Sequence, residues 1–390
     1  MTHYRSFAAT GVTIAAAAAL IATTTAASAG KLERGNRNIM PIFERGTYAE
    51  ISGAFIFPHA SGNDDAGNEF GNFYQRDTDF GGAFKIDWTD RLSSAYIVDE
   101  PFGADIAYDS APLGTPIRGG TADGTFATLS SIAITSLTRY KFDENWSVYG
   151  GTRSQRTEFE VGIPVFAAGA DYRAKAKADW GFGWVAGVAW EMPAIRARAS
   201  LTYHSEIEHT WTLTERNSPI FGPVSQSRFT NQTPQGVDFD FRFPVAQTTL
   251  MYGNVHWADF SETALSLPTV TAIAGAPVLD YEGDNWSVKL GVAQVMRPDW
   301  ILAGDVTYEF SSGEQRSPFR AGDGEVSLGL SSRHQYQGAN ITFGAQYKII
   351  EDNEGPVTFP GGVNFRDQDV FTAGVKIGFN FVPQAKPSLK

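Results

Sequence analysis

The stretch Val370–Phe381, VFTAGVKIGFNF, alternates without a break. Phe371, Ala373, Val375, Ile377, Phe379 and Phe381 share one parity, and Thr372, Gly374, Lys376, Gly378 and Asn380 share the other. Successive strand side chains leave opposite faces of a sheet, so this segment has one apolar face and one polar or small face. That is the pattern of a membrane-barrel strand, apolar toward lipid and polar toward a lumen. Neighbouring segments repeat it. Ile341, Phe343, Ala345, Tyr347 and Ile349 oppose Asn340, Thr342, Gly344, Gln346 and Lys348; Val237, Phe239, Phe241 and Phe243 oppose Asp238, Asp240 and Arg242. Trp300, Leu302, Val306, Tyr308 and Phe310 alternate with Asp305, Thr307 and Glu309. A soluble sandwich also alternates, so the connections must decide.

Reading alternation between turn signals gives strands near 47–58, 75–87, 91–100, 126–140, 146–158, 177–190, 195–205, 235–243, 247–257, 282–295, 300–310, 324–333, 339–350 and 370–381. These are fourteen, an even number. Their connections alternate strictly between short turns, such as Trp88-Thr89-Asp90 and Phe142–Asn145, and long segments, at 59–74, 101–125, 159–176, 206–234, 258–281, 311–323 and 351–369. A bacterial barrel has short periplasmic turns opposite long outer loops, whereas a sandwich has no reason to sort loops by parity. Trp88, Trp146, Trp190 and Trp300 sit at short-turn ends, where an aromatic girdle meets headgroups, and Trp257 and Trp286 belong to the opposite girdle. The fold expected is all-β, a 14-stranded antiparallel transmembrane barrel.

Residues 1–29 read as a signal peptide: Arg5 in a short basic start, an alanine-rich apolar run over Phe7–Ala22, and a small-residue cleavage site at Ala27-Ser28-Ala29. No later segment approaches the roughly 20 apolar residues of a spanning helix. The chain has no cysteine, which removes disulfides and thiolate metal sites. A formal charge of -12 argues against nucleic acid, whose phosphates demand a basic surface. The expected organisation is signal peptide 1–29, a lumenal plug over 30–46, the barrel over 47–381, and a tail over 382–390.

A barrel of this size is either an open pore or a plugged one. The segment Gly30–Gly46, GKLERGNRNIMPIFERG, mixes Arg34, Arg37 and Arg45 with Ile39, Met40, Ile42 and Phe43, and suits folding back into the bore. Several long connections carry apolar runs, among them Pro101–Ala104, Ile163–Ala168, Pro219–Pro223, Leu265–Val278 and Val357–Pro360. Folded together over the mouth, they would form an apolar cleft. Candidate substrate contacts are therefore Phe102, Phe166, Trp211 and Phe221 from the loops and Met40, Ile42 and Phe43 from the plug. Arg153, Arg196 and Arg198, inward by parity, are candidates for meeting a carboxylate through charge-assisted bonds. The competing assignments for those arginines are lumenal salt bridges.

The chain resembles the FadL-type long-chain fatty acid transporters of bacterial outer membranes. The resemblance lies in Phe43-Glu44-Arg45-Gly46-Thr47-Tyr48-Ala49-Glu50-Ile51-Ser52 running into Phe57-Pro58, and in Asp87-Trp88-Thr89-Asp90-Arg91-Leu92-Ser93. It continues through Pro101-Phe102-Gly103-Ala104-Asp105, Thr202-Tyr203-His204-Ser205-Glu206-Ile207 and Trp257-Ala258-Asp259-Phe260-Ser261, in order along the mature chain. It implies a barrel closed by an N-terminal hatch, an apolar site among the outer loops, and passage of a hydrophobic substrate by hatch rearrangement or through a lateral gap. The plug here is short and lacks the family's Asn-Pro-Ala turn, and Val382–Lys390 follows the final Phe381.

The functional expectation is facilitated diffusion of hydrophobic compounds, long-chain fatty acids first, across the outer membrane. Its partners are a hydrophobic small molecule, outer-membrane lipid and lipopolysaccharide, with no cofactor and no metal. A general diffusion porin for polar solutes is the alternative, and a surface adhesin a third class. An esterase would need serine, histidine and an orienting group together; the tight cluster available is His204-Ser205-Glu206 at a strand end, and the chain reads as a non-enzyme.

Overall fold

The computed structural model describes residues 33–34, 37–64, 69–108, 124–166, 170–275, 277–281, 283–311, 322–352 and 363–381. The expected signal peptide, the tail over 382–390 and the Val357–Pro360 run lie outside the described residues. Fourteen strands form the wall: β1 (Tyr48–Asp64), β2 (Asp77–Asp87), β3 (Leu92–Asp99), β4 (Phe126–Lys141), β5 (Trp146–Phe166), β6 (Ala170–Met192), β7 (Ala197–His204 continued by Ile207–Ser218), β8 (Gly222–Thr233 continued by Gln235–Pro244), β9 (Thr249–Asp259), β10 (Asp284–Arg297), β11 (Trp300–Glu309), β12 (Gly322–Tyr336), β13 (Ala339–Asp352) and β14 (Val363–Asn380). Each pairs antiparallel with the next. β14 returns to β1 in a ladder running from Tyr48↔Asn380 to Asp64↔Val363, so the sheet has no free edge. Closure matters because lipid offers no hydrogen bonds to an unpaired strand.

The two faces of the wall differ as the alternation requires. Ile51, Phe84, Phe182, Leu290, Leu328 and Phe343 are exposed on the outside. The inward positions are polar and buried, and their charges are matched: Lys376 to Glu50 at 3.7 Å, Lys348 to Glu325 at 2.6 Å, and Arg139 to Glu191. The Tyr252 hydroxyl donates to Asp305 at 2.8 Å. An unmatched charge in such an interior would cost several kcal/mol.

Local chemistry sets the short turns. Gln337 and Gly338 both have positive φ (48° and 84°), the backbone of a type I′ hairpin that only glycine and a few other residues tolerate. In the turn between β4 and β5, the Asp143 carboxylate accepts the backbone N–H of Trp146 and of Asn145, each at 2.7 Å. Those bonds, Trp146 first, hold its carboxyl below the usual range. Trp146 and Trp190 face each other across β5 and β6 at this end, and Trp257 and Trp286 face each other across β9 and β10 at the other, ring centroids 6.4 Å apart.

The long connections at 159–176 and 206–234, expected as loops, are largely strand. β5 and β6 run on to Phe166 and from Ala170, and the outer halves of β7 and β8 form a projecting hairpin. The period of two persists there, but the polarity inverts. On β5, inward Arg153, Gln155 and Thr157 give way to inward Phe159, Val161 and Ile163, while Arg156, Glu158 and Glu160 face out. On β7, Ile207, His209, Trp211, Leu213 and Glu215 are buried, alternating with Glu208, Thr210, Thr212 and Thr214. Above the lipid the outside meets water, so the apolar parity turns inward.

An Arg at Leu290, outward at mid-strand on β10, is expected to destabilise the barrel in bilayers by about 2–4 kcal/mol, whereas Arg at Glu208 should be near neutral; reversible unfolding in lipid vesicles measures both.

Candidate functional site

The leading segment threads the bore from the long-connection end to the short-turn end. At the top, Glu33 bridges Phe102 just beyond β3, and the Arg34 N–H donates to the Pro101 carbonyl at 2.7 Å. Arg34 also pairs with Asp77 at the start of β2. Lower, Met40–Phe43 makes one 3-10 turn that starts on Asn38 and includes Pro41. At the bottom, Lys85 donates to the Gly46 carbonyl at 3.0 Å and Asn380 to that of Arg45 at 3.0 Å, delivering the chain into β1.

Around this thread the interior divides into three layers. The lowest is apolar: Ile39, Ile42 and Phe43 pack with Ala95, Ile97, Leu137, Tyr149 and Val185 of the wall. Phe43 meets Tyr149 edge-on at 5.4 Å and lies between the guanidinium groups of Arg139 and Arg198, 4.6 Å and 4.2 Å from its ring centre. Such cation–π contacts are worth more when desolvated, up to about 2 kcal/mol.

The middle layer is polar and fixes the thread to the wall. Arg37 sits 3.3 Å from the Glu33 carboxylate and donates to the Pro234 carbonyl at 2.6 Å. His256 lies between two carboxylates, 3.6 Å from Glu33 and 2.9 Å from Asp238. His204 approaches the other Asp238 oxygen at 3.5 Å, and Asn254 donates to Asp238 and Asp240 at 3.3 Å and 3.1 Å. Glu33, Arg37, His204, Asp238 and His256 are all buried. In this setting each charge depends on its partners, because a buried ion left alone costs about 3–5 kcal/mol.

The upper layer is an apolar cluster built by the strand extensions and outer connections. Phe73, Tyr108, Phe159, Trp211, Phe260 and Tyr281 are among its buried members. Trp211 stacks on His209 (5.2 Å, 13°) and on Phe229 (5.6 Å, 16°), and meets Phe159 edge-on. The Leu265–Val278 stretch contributes a short helix, α1 (Pro268–Ala274), ended by Gly275 at φ 77°. Its Leu267 and Val270 are fully buried in the cluster. Charged groups enter this level as well: Glu215 accepts the Tyr172 hydroxyl at 2.6 Å and the Thr269 N–H at 3.0 Å, and His209 lies 3.5 Å from Asp179.

The candidate residues separate accordingly. Met40, Ile42 and Phe43 lie in the lower layer and Trp211 in the upper one. Phe102 is buried at the junction of thread and wall, with Arg37 6.0 Å from its ring. Phe221 is exposed at the tip of the projecting hairpin, away from the cluster, because Ser218 caps the Ile220 and Phe221 N–H groups and turns the tip outward. The side chain of Phe166 falls outside the described residues. Arg153 is held by Asp99 at 2.8 Å and Thr135 at 2.6 Å, and Arg198 by the Met40 sulfur and the Phe43 ring. Arg196 sits in the β6–β7 turn with φ 62°, outside the regular alternation of the strands. Within His204-Ser205-Glu206, the Ser205 hydroxyl engages the Trp184 N–H and the Glu206 carbonyl rather than His204. The roles of Glu33, His256 and Asp238 were not read from sequence, because they lie far apart along the chain and each looks like an ordinary lumenal polar residue.

No family model matches the chain, and no curated protein matches it by sequence. Solved structures do match. A FadL homologue from Pseudomonas aeruginosa superposes with TM-score 0.72 at 14% identity, covering 88% of this chain and 92% of that one. The toluene transporter TodX of P. putida gives 0.63 at 10% identity, with 87% and 91% covered. The toluene transporter TbuX of Ralstonia pickettii gives 0.62 at 11% identity, with 92% and 98% covered. The chain has the FadL-type barrel fold.

Replacing His256 with Ala leaves Glu33 and Asp238 facing each other without their shared partner, so the thread should loosen. Planar-bilayer recordings are expected to gain frequent ion-carrying openings over the wild type, and an unchanged trace would place the restraint elsewhere.

Proposed function

We propose that this protein is an outer-membrane channel for facilitated diffusion of hydrophobic small molecules, with the leading segment as its hatch. The observation that carries the reading is the inverted polarity of the wall strands. An apolar cluster filling the bore above the lipid has no use in a general porin, whose path must stay polar and open. A hydrophobic molecule entering from outside would leave water for the aromatic layer around Trp211, where burial yields about 25 cal/mol per Å². Onward passage requires the polar layer at Glu33, Arg37 and His256 to part, or the wall to open. The chain's sequence carries no phosphate-binding Gly-rich loop, and diffusion down a gradient suffices.

Within that class, the geometry favours neutral solutes over the fatty acids that the family resemblance puts first. The Glu215 carboxylate is already buried in the upper layer, and a second carboxylate beside it would be repelled. Arg153 and Arg198, the candidates for meeting a fatty acid, already serve Asp99 and Phe43 lower down. Toluene-like hydrocarbons are the substrates named for the similar barrels TodX and TbuX, which agrees with this preference.

Uptake by cells lacking their own hydrophobic channels tests the proposal. Expression should raise toluene uptake more than oleate uptake, Trp211→Ala should lower toluene binding by about tenfold, and deleting Ile39–Phe43 should reduce regulated uptake while the barrel still assembles. Equal rates for all three proteins would refute the assigned route, and greater oleate uptake would refute the preference for neutral solutes.

A further inference from the structure

The outer surface of the projecting sheet, where β5, β6, β7 and β8 run past the lipid, carries cations on an otherwise acidic protein. Arg173 on β6 and Arg216 on β7 are direct cross-strand partners, and both are exposed. Like charges placed opposite each other on a sheet face repel and normally weaken the pairing. Below them, Lys177 on β6 and Arg228 on β8 flank Thr212, which is the cross-strand partner of Arg228. Between the two levels lie Thr214 and Gln226, joined by a hydrogen bond at 3.4 Å.

The neighbouring acids neutralise only part of this surface. Glu160 takes Lys175 at 2.6 Å and Glu158 takes Arg156 at 3.1 Å. Arg173 has Asp171 at 3.6 Å and the Phe126 ring at 5.6 Å, with both members of that ion pair about half exposed. Glu208 lies lower on β7, also exposed. Among the described residues, Arg216, Arg228 and Lys177 face outward with no ion-pair partner. The pattern is a set of cations framing a patch of threonine hydroxyls and an amide.

Its height identifies the occupant. Trp180, exposed on β6, marks the top of the lipid-facing aromatics on this side. At about 3.3 Å per strand residue, Lys177 stands roughly 10 Å along the strand beyond it and Arg173 roughly 23 Å. That interval lies beyond the hydrocarbon band, at the level of the outer-leaflet head groups and what projects from them. We propose that Arg173, Lys177, Arg216 and Arg228 form a binding site for the phosphate groups of lipopolysaccharide, with Thr212, Thr214 and Gln226 meeting its sugar hydroxyls. Charge-assisted bonds to phosphate are the strong interactions available to exposed arginines, and the bound anion relieves the Arg173–Arg216 repulsion. The site lies outside the bore and is independent of the transport reading.

The test uses the full-length protein in nanodiscs with purified rough-type lipopolysaccharide as probe, read by native mass spectrometry. The wild type should retain lipopolysaccharide, and the triple variant R173Q/R216Q/R228Q should bind about tenfold more weakly. Phosphatase-treated lipopolysaccharide should lose a similar factor on the wild type, and R173K/R216K/R228K should keep most of the binding. Gel mobility before and after heating verifies that each variant is a closed barrel. Equal retention by the wild type and the Gln variant, equal binding of the dephosphorylated probe, or equally strong binding of phosphatidylglycerol vesicles would overturn the assignment.

Discussion

Everything in this molecule depends on the wall having no edge. In lipid an unpaired backbone N–H or carbonyl has no water to turn to, and each would cost several kcal/mol. The β1–β14 ladder removes the last edge, holding its register from Tyr48 to Asp64 with one irregularity between His59 and Ser61. Once the ring is closed, every strand must divide its side chains between lipid and lumen, and the charged residues have a single place to go. The matched pairs Lys376–Glu50, Lys348–Glu325 and Arg139–Glu191 follow from that division.

The same rule, applied above the lipid, produces the upper cluster. Where the outside becomes water, the apolar parity turns inward, and strands that carry Arg153 and Thr202 toward the bore at one height carry Phe159 and Trp211 toward it at another. No separate loop domain is needed. The apolar cluster and the polar bore are successive sections of one sheet, and the leading segment crosses both the polar section and the apolar floor beneath it. Close packing leaves no slack in the wall: a Cβ at Gly151 would collide with the Ser136 carbonyl oxygen, so β4 and β5 approach there as only glycine allows.

The wall was legible in the sequence because lipid imposes an alternation that survives without knowledge of any partner strand. The fourteen segments, the short turns and the tryptophans at each end could all be read locally. The extensions were not, since a search for outward apolar faces passes over IEHTWTLT, where the same period runs with opposite sidedness. Phe221 was misplaced for a related reason: an apolar residue in a tip gives no sign of which way the turn faces. Arg196 illustrates the limit of parity itself, because one left-handed residue resets the count. The middle layer was illegible in principle, since Glu33, Asp238 and His256 come together only through closure of the ring and insertion of the thread.

The proposed hatch must move relative to the wall before solute can pass along the bore. The chain has no cysteine, and Glu33 and Phe102 already stand as antiparallel bridge partners, at the Cα separation a disulfide needs. In the double variant E33C/F102C, toluene uptake by cells should stop on oxidation and return on reduction. Uptake that continues undiminished with the disulfide formed would contradict a moving hatch and place the exit in the wall.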